Sequence, residues 1–234
     1  MCRTPVFGES VPSPIDWEQL TVYNAASDHH RVVEILKQIY IKKWINTGIS
    51  KGGQTAMYHR YFYPDDVDAT VGYVCPLNFS IEDQRVYRFL EQVGDSVCRK
   101  KIHDYQYEML NNKAIYLEEF EKLADSRKIS YSIGLTEAYD LTVLEYSFAF
   151  WQWGGTDCKS IPQRGESPKE MVNHLNRVAG IEWVSDQGIQ RLLPFFYQAL
   201  AEIGFYGYDI SAYPGMTSFS KTQRLVLRPP LSKY

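Results

Sequence analysis

No stretch of the 234-residue chain approaches the apolar length that a membrane-spanning helix needs. The opening residues, MCRTPVFGES, lack the apolar centre of a secretory leader, so no signal peptide is visible and the chain reads as soluble. No basic run is long enough to suggest a phosphate-backbone footprint and the net charge is −3, which makes nucleic acid a poor partner. The four cysteines, Cys2, Cys75, Cys98 and Cys158, form no Cys-x-x-Cys pair. That spacing argues against a structural zinc site and against a dense disulfide framework, and no metal or other cofactor is expected. A single bridge fits a chain that matures outside the cytoplasm.

What the chain does have is aromatic side chains, 15% of all residues, with 18 Tyr and 5 Trp. Rings with a polar tip suit sites for peptides or sugars, although filling the core is their default use. The length allows one or two domains. After a Pro-rich opening, residues 22–40 place Ala25, Ala26, Val32, Val33, Ile35, Leu36 and Ile39 at helical spacing. KKWINTG then reads as a buried strand, GGQTAMYHRYF as a helix stopped by Pro64, and VDATVGYVCPL as a second strand. Helix, strand, Gly-rich turn, helix, strand is the order of a parallel α/β sheet with its crossover helix. From Phe79 the pattern turns helical, with a start at Ser80 and Asp83, an apolar run LTVLEYSFAFWQWG, and two later helices opened by Ser or Asp and closed by Gly. The chain therefore divides into an α/β part at 1–78, a helical part at 79–212 and an irregular tail at 213–234.

Between the first strand and its helix stands Gly48-Ile49-Ser50-Lys51-Gly52, the Gly-x-Ser-x-Gly spacing of the nucleophile elbow of α/β-hydrolases. The spacing alone is a weak signal, and the strand-turn-helix order around it makes it a stronger one. Ser50 is the candidate nucleophile and the Lys51 amide the candidate oxyanion donor, with Gly52 and Gly53 letting helix and strand approach. The other reading is a plain connecting turn, or an anion site at a helix start; a phosphate loop is excluded because TGISKGGQT lacks the Gly-Lys-Ser/Thr ending. A serine nucleophile needs a base, and none is evident. His29 and His30 precede Ser50 on a polar helix face, His59 leaves on the helix after it, and His103 and His174 sit in helical patterns as surface or packing residues. The strands expected ahead of the elbow are also missing, so the chain reads as an internal portion of a larger hydrolase.

The stretches FGESVP, GISKGGQTAMYHRYFYP and VGYVCPLNFS together resemble the bacterial secreted tripeptidyl aminopeptidases, serine peptidases related to prolyl carboxypeptidase and dipeptidyl peptidase II. Phe7-Gly8-Glu9-Ser10 matches half of an Arg-aromatic-aromatic-Gly-Glu-Ser motif of that group, and Gly48, Ser50, Gly52 and Gly53 match its elbow. The resemblance covers most of residues 7–210. It implies a partial α/β-hydrolase sheet with a mainly helical cap, secretion to the cell exterior or periplasm, and removal of short peptides from free N-termini, often next to proline. No segment matches the family's catalytic Asp and His, so the chain alone is expected to be inactive.

Holding a substrate ammonium calls for a carboxylate in a dry pocket. Glu145 has the least polar surroundings of the acidic residues and is the candidate anchor, although a paired structural Glu is the commoner use of such a residue. Trp151 and Trp153 are candidates for stacking on proline, with packing as their default. Two other functions stay open: an esterase-like α/β-hydrolase, and a module that binds peptides without cleaving them.

Overall fold

The computed structural model describes residues 14, 16–80, 82–153 and 157–219. The motif Phe7-Gly8-Glu9-Ser10 and residues 220–234 of the expected tail lie outside them. The described chain divides into two units, one formed by residues up to Asp83 with Leu193–Phe205, the other by Gln84–Leu192 and the segment from Tyr206 onward.

In the first unit, helix α1 (Val22–Lys37) is followed by strand β1 (Ile45–Ile49), helix α2 (Lys51–Phe62) and strand β2 (Ala69–Tyr73). Thr21 opens α1 by accepting the Asn24 N–H, a side-chain cap on a donor the helix cannot satisfy itself. Ala25, Ala26 and Val33 are buried along one side of α1, which packs on α2. The strands run parallel in the register Ile45↔Ala69 to Ile49↔Tyr73, and the crossover between them is α2. The expected order of elements is thus present. β2 ends where Val74 takes a φ of 42°, which breaks an extended chain.

β1 differs from the buried strand expected of KKWINTG. Ile45 and Ile49 are 62% and 69% exposed, and Val71 and Tyr73 of β2 are exposed beside them. Side chains alternate across a strand, so these residues share the sheet face away from the crossover helix. Among the described residues no layer covers that face. Parallel sheets ordinarily carry a layer on each side.

The second unit is helical: α3 (Arg85–Gln92), α4 (Ser96–Asn111), α5 (Lys113–Ser126), α6 (Leu135–Trp153) and α7 (Pro168–Val178). α8 (Asp186–Gln198) starts in this unit, passes into the first at Leu193, and continues as a π-helical turn over Ala199–Ile203. α6 is the buried centre, with Tyr139, Val143 and Tyr146 fully enclosed, as its apolar run requires. Tyr105, Met109, Phe120, Met171 and Leu175 close around it. Ser167 opens α7: its hydroxyl oxygen accepts the Glu170 N–H and its O–H donates to the Glu170 carboxylate, with Pro168 in the first turn. α3 begins later than expected. Ser80 and Asp83 serve the bend ahead of it instead, where Asp83 accepts the Phe79 N–H and the Ser80 hydroxyl donates to the Glu82 carbonyl. A disulfide joins Cys98 on α4 to Cys158 in a 3-10 turn, 60 residues along the chain. The described start of the expected tail is part of this unit: Tyr213 is buried and the Ser218 N–H donates to Asp140.

Candidate functional site

Ser50 occupies the single-residue turn between β1 and α2. Its φ is 54° and its ψ −123°, a left-handed conformation that costs a residue with a Cβ of order 1–3 kcal/mol and persists only when neighbours enforce it. Here the neighbours are identifiable. The Ser50 N–H donates to the Tyr73 carbonyl at 2.9 Å, and the Ser50 carbonyl accepts the Gln54 N–H at 3.1 Å. A Cβ on Gly48 would lie 2.2 Å from the Gly52 carbonyl carbon, and one on Gly53 would lie 2.8 Å from the Cys75 Cβ. The helix can turn back this tightly on its strand because both positions lack side chains. Ser50 is exposed, and among the described residues its hydroxyl makes no hydrogen bond.

Lys51 follows as the first residue of α2, so its N–H lies at the positive end of the helix dipole. Its ammonium donates to the Gln198 amide oxygen at 2.7 Å, and burial lowers its pKa to about 8. The sequence offered Lys51 for its backbone; the structure shows that its side chain is also engaged.

The histidines of this unit form a separate cluster. His59 is buried, with Nε2 2.7 Å from Asp66 and Nδ1 3.0 Å from the Asn46 amide nitrogen. His30 meets the same Asp66 carboxylate at 2.8 Å and stacks on Tyr63. His29 packs near His59, and burial lowers its pKa. His59 lies nine residues beyond Ser50 on α2, about 13 Å along the helix axis, and both its ring nitrogens have partners. This cluster was not anticipated, since Asp66 joins His30 and His59 only through the packing of α1 on α2.

In the second unit His174 is buried, with Nε2 2.8 Å from the Tyr146 hydroxyl, and burial with nearby Arg177 lowers its pKa to about 4. It is a packing residue, as its helical pattern implies. His103 is half exposed and stacks on Tyr213.

A cavity of about 350 Å³ opens in the second unit among α3, α4, α6 and residues 208–213. Trp151 lines it together with Phe148, Tyr208, Tyr213 and His103. Trp153 does not, and is 73% exposed. Glu145 lies behind the wall: its carboxylate accepts the Tyr206 and Tyr208 hydroxyls. Burial pushes its pKa up to about 7 even though the two phenols pull it down. Ser50 and Lys51 thus belong to one unit, and Glu145, Trp151 and Trp153 to the other. The cavity had no signal in the sequence beyond the aromatic content of α6, because its walls come from four separated segments.

Among the described residues no helix is long and apolar enough to cross a membrane. No solved structure matches the chain significantly. A prolyl tri/tetrapeptidyl aminopeptidase of Streptomyces mobaraensis is 36% identical over 202 residues, covering 85% of this chain. The chain spans 42% of that relative's length. The family model of the PS-10 peptidases S37 matches residues 3–216, a span that takes in the Ser50 turn and nearly all of both units. The chain belongs to the PS-10 peptidase S37 family.

Proposed function

We propose that the β1–Ser50–α2 turn is the nucleophile elbow of an α/β-hydrolase-type serine peptidase, and that the helical unit is its cap. The observation that carries this reading is the φ of 54° at Ser50, held between a parallel strand and the helix that crosses back over it. A strained residue that projects an exposed hydroxyl is costly for a simple connector and useful for a nucleophile. The Ser50 hydroxyl gives its proton to a base as its oxygen adds to the scissile carbonyl, with the Lys51 N–H at the start of α2 donating to the oxyanion. The C–N bond then breaks, the amine leaves with that proton, and water hydrolyses the acyl-serine. Peptides are the substrate class, cut near a free amino end and beside proline, in line with the activity named for the Streptomyces relative. In the cap, Trp151 contributes to the wall that receives the substrate, Glu145 is the buried carboxyl behind Tyr208, and exposed Trp153 makes contact only with an extended substrate. The Cys98–Cys158 bridge supports an oxidising location such as the cell exterior.

Catalysis also needs a base and a group that orients it. The histidines in the unit of Ser50 are committed to Asp66 and its surroundings, so this chain alone is expected to be inactive. The test is a chimera in which this chain replaces the matching 42% of the Streptomyces relative. It is expected to cleave Xaa-Xaa-Pro chromogenic peptides faster than short acyl esters and to lose all turnover with Ser50→Ala. Unchanged turnover in Ser50→Ala would remove Ser50 from the mechanism. Rapid, stoichiometric fluorophosphonate labelling of the isolated chain would show that the base is already present. A second reading, a peptide-binding module without turnover, is favoured by the preformed cavity in the helical unit.

A further inference from the structure

The cavity in the helical unit is walled by rings that are fixed before any ligand arrives. Gly94, with a φ of 64°, lies so close under Trp151 that a Cβ there would sit 2.3 Å from the indole ring. The same turn is tied down by Arg99, whose guanidinium donates to the carbonyls of Gln92, Val93 and Gly94 at 3.2, 3.0 and 2.7 Å. Opposite, Phe148 stacks on Tyr206 with centroids 4.4 Å apart and meets Tyr208 edge-on. Tyr208 is held in turn by Glu145. A volume of about 350 Å³ falls within the usual small-ligand range of about 300–1,000 Å³.

The charges of the lining are asymmetric. Arg99 is the cationic side chain, and it is occupied by three carbonyls. Glu91 and Asp209 are the acidic ones, both exposed to solvent. Among the described residues neither has an ion-pair partner, and one Asp209 oxygen accepts the Ser211 N–H. Carboxylates at the rim and electron-rich ring faces within both favour a cation and repel a carboxylate terminus.

We propose that this cavity binds the amino-terminal end of a short peptide, with a proline or aromatic ring in the box of Trp151, Phe148 and Tyr208 and the free ammonium against Glu91 and Asp209. The choice of a peptide amine over other ring-bearing cations rests on the peptidase reading above. The geometry makes the rim acids, rather than Glu145, the groups that meet the charge. Glu145 fixes the Tyr208 wall from behind.

Calorimetric titration of the whole chain with Phe-Pro-amide and with N-acetyl-Phe-Pro-amide tests this, because binding is read without turnover. The free amine is expected to bind about fivefold or more tightly than the acetylated peptide, the effect of one partly exposed charge pair. Glu91→Gln with Asp209→Asn is expected to erase that preference, and Phe148→Ala to weaken both peptides. Equal affinity of the two peptides for the wild-type chain, or binding of neither, would overturn the proposal. The two rim substitutions are on the surface and carry the test if Phe148→Ala fails to fold. Selective binding beside a chimera that does not cleave would refute the Ser50 reading alone, and cleavage without selective binding would refute this one alone.

Discussion

The Ser50 amide donates to the Tyr73 carbonyl at 2.9 Å, which carries the β1–β2 pairing one residue past the end of β1, to the residue with the left-handed backbone. The strain at Ser50 and the end of the sheet are therefore one feature. The serine is held in place by β2 as much as by its own turn.

Substitutions at this turn separate strain from space. Ser50→Gly is expected to leave the fold intact and to stabilise it by about 1 kcal/mol, since glycine accepts φ 54° without penalty. Gly53→Ala is expected to destabilise it by about 1–3 kcal/mol, because the new Cβ meets Cys75 at 2.8 Å. Urea unfolding of the two variants checks both signs. A stabilised Gly53→Ala would show that α2 can move off the sheet.

The disulfide predicts a dependence on redox conditions. Reduction of the denatured chain is expected to release two more thiols than denaturation alone. The Cys98→Ala/Cys158→Ala variant is expected to lose about 4 kcal/mol, the loop-entropy value for a separation of 60 residues. Thiol titration and thermal unfolding measure these. An unchanged thiol count would mean that the bridge does not form in solution.

Two buried groups predict opposing pH effects. Glu145 has a folded pKa of about 7 against an ordinary 4.5, so the stability it contributes is complete below pH 4.5 and is lost as pH rises to about 7. His174 has a folded pKa of about 4 against 6.5, so its contribution is complete above pH 6.5 and is lost as pH falls to about 4. Between about pH 4.5 and 6.5 the slopes have opposite sign, each at most about 1.4 kcal/mol per pH unit. Relative to the wild type, Glu145→Gln is expected to gain stability as pH rises through this window, and His174→Gln to gain it as pH falls. Denaturant midpoints at pH 5.0, 5.75 and 6.5 test the pair. Parallel pH profiles for all three proteins would contradict it.

The open face of the sheet predicts association. Ile45, Ile49, Val71 and Tyr73 form a contiguous apolar surface beside strand edges that are unpaired among the described residues, the arrangement most prone to aggregation. Ile49→Lys is expected to reduce dye binding and light scattering without lowering the unfolding midpoint, since Ile49 is 69% exposed. A large drop in the midpoint would show that this face is covered in solution.

Much of the local structure is written in the sequence. The periodicity of residues 22–40, of which α1 takes 22–37, the Pro64 stop, the Ser167 cap and the Gly48-x-Ser50-x-Gly52 spacing each act over a few residues, where propensity and sterics weigh most. α3 starts later than Ser80 and Asp83 suggest because these residues can cap a bend as readily as a helix, and only the chain around them chooses. The exposure of β1 differs from expectation for a related reason: an apolar strand states what it needs to bury and not which layer buries it.

What the sequence by itself determined is a serine in a strand-turn-helix setting and a switch from mixed to helical patterning near residue 79; which two of the four cysteines pair came from the structure. Tertiary structure alone decided that Ser50 is left-handed, that Asp66 gathers two histidines, and that Trp151 faces a cavity while Trp153 faces solvent. The physical reason is range. Helical periodicity and caps are settled by neighbours in the chain, whereas the Ser50 backbone held by Tyr73, a cavity wall, a buried carboxyl and a shared hydrogen-bond partner exist only after distant segments have packed.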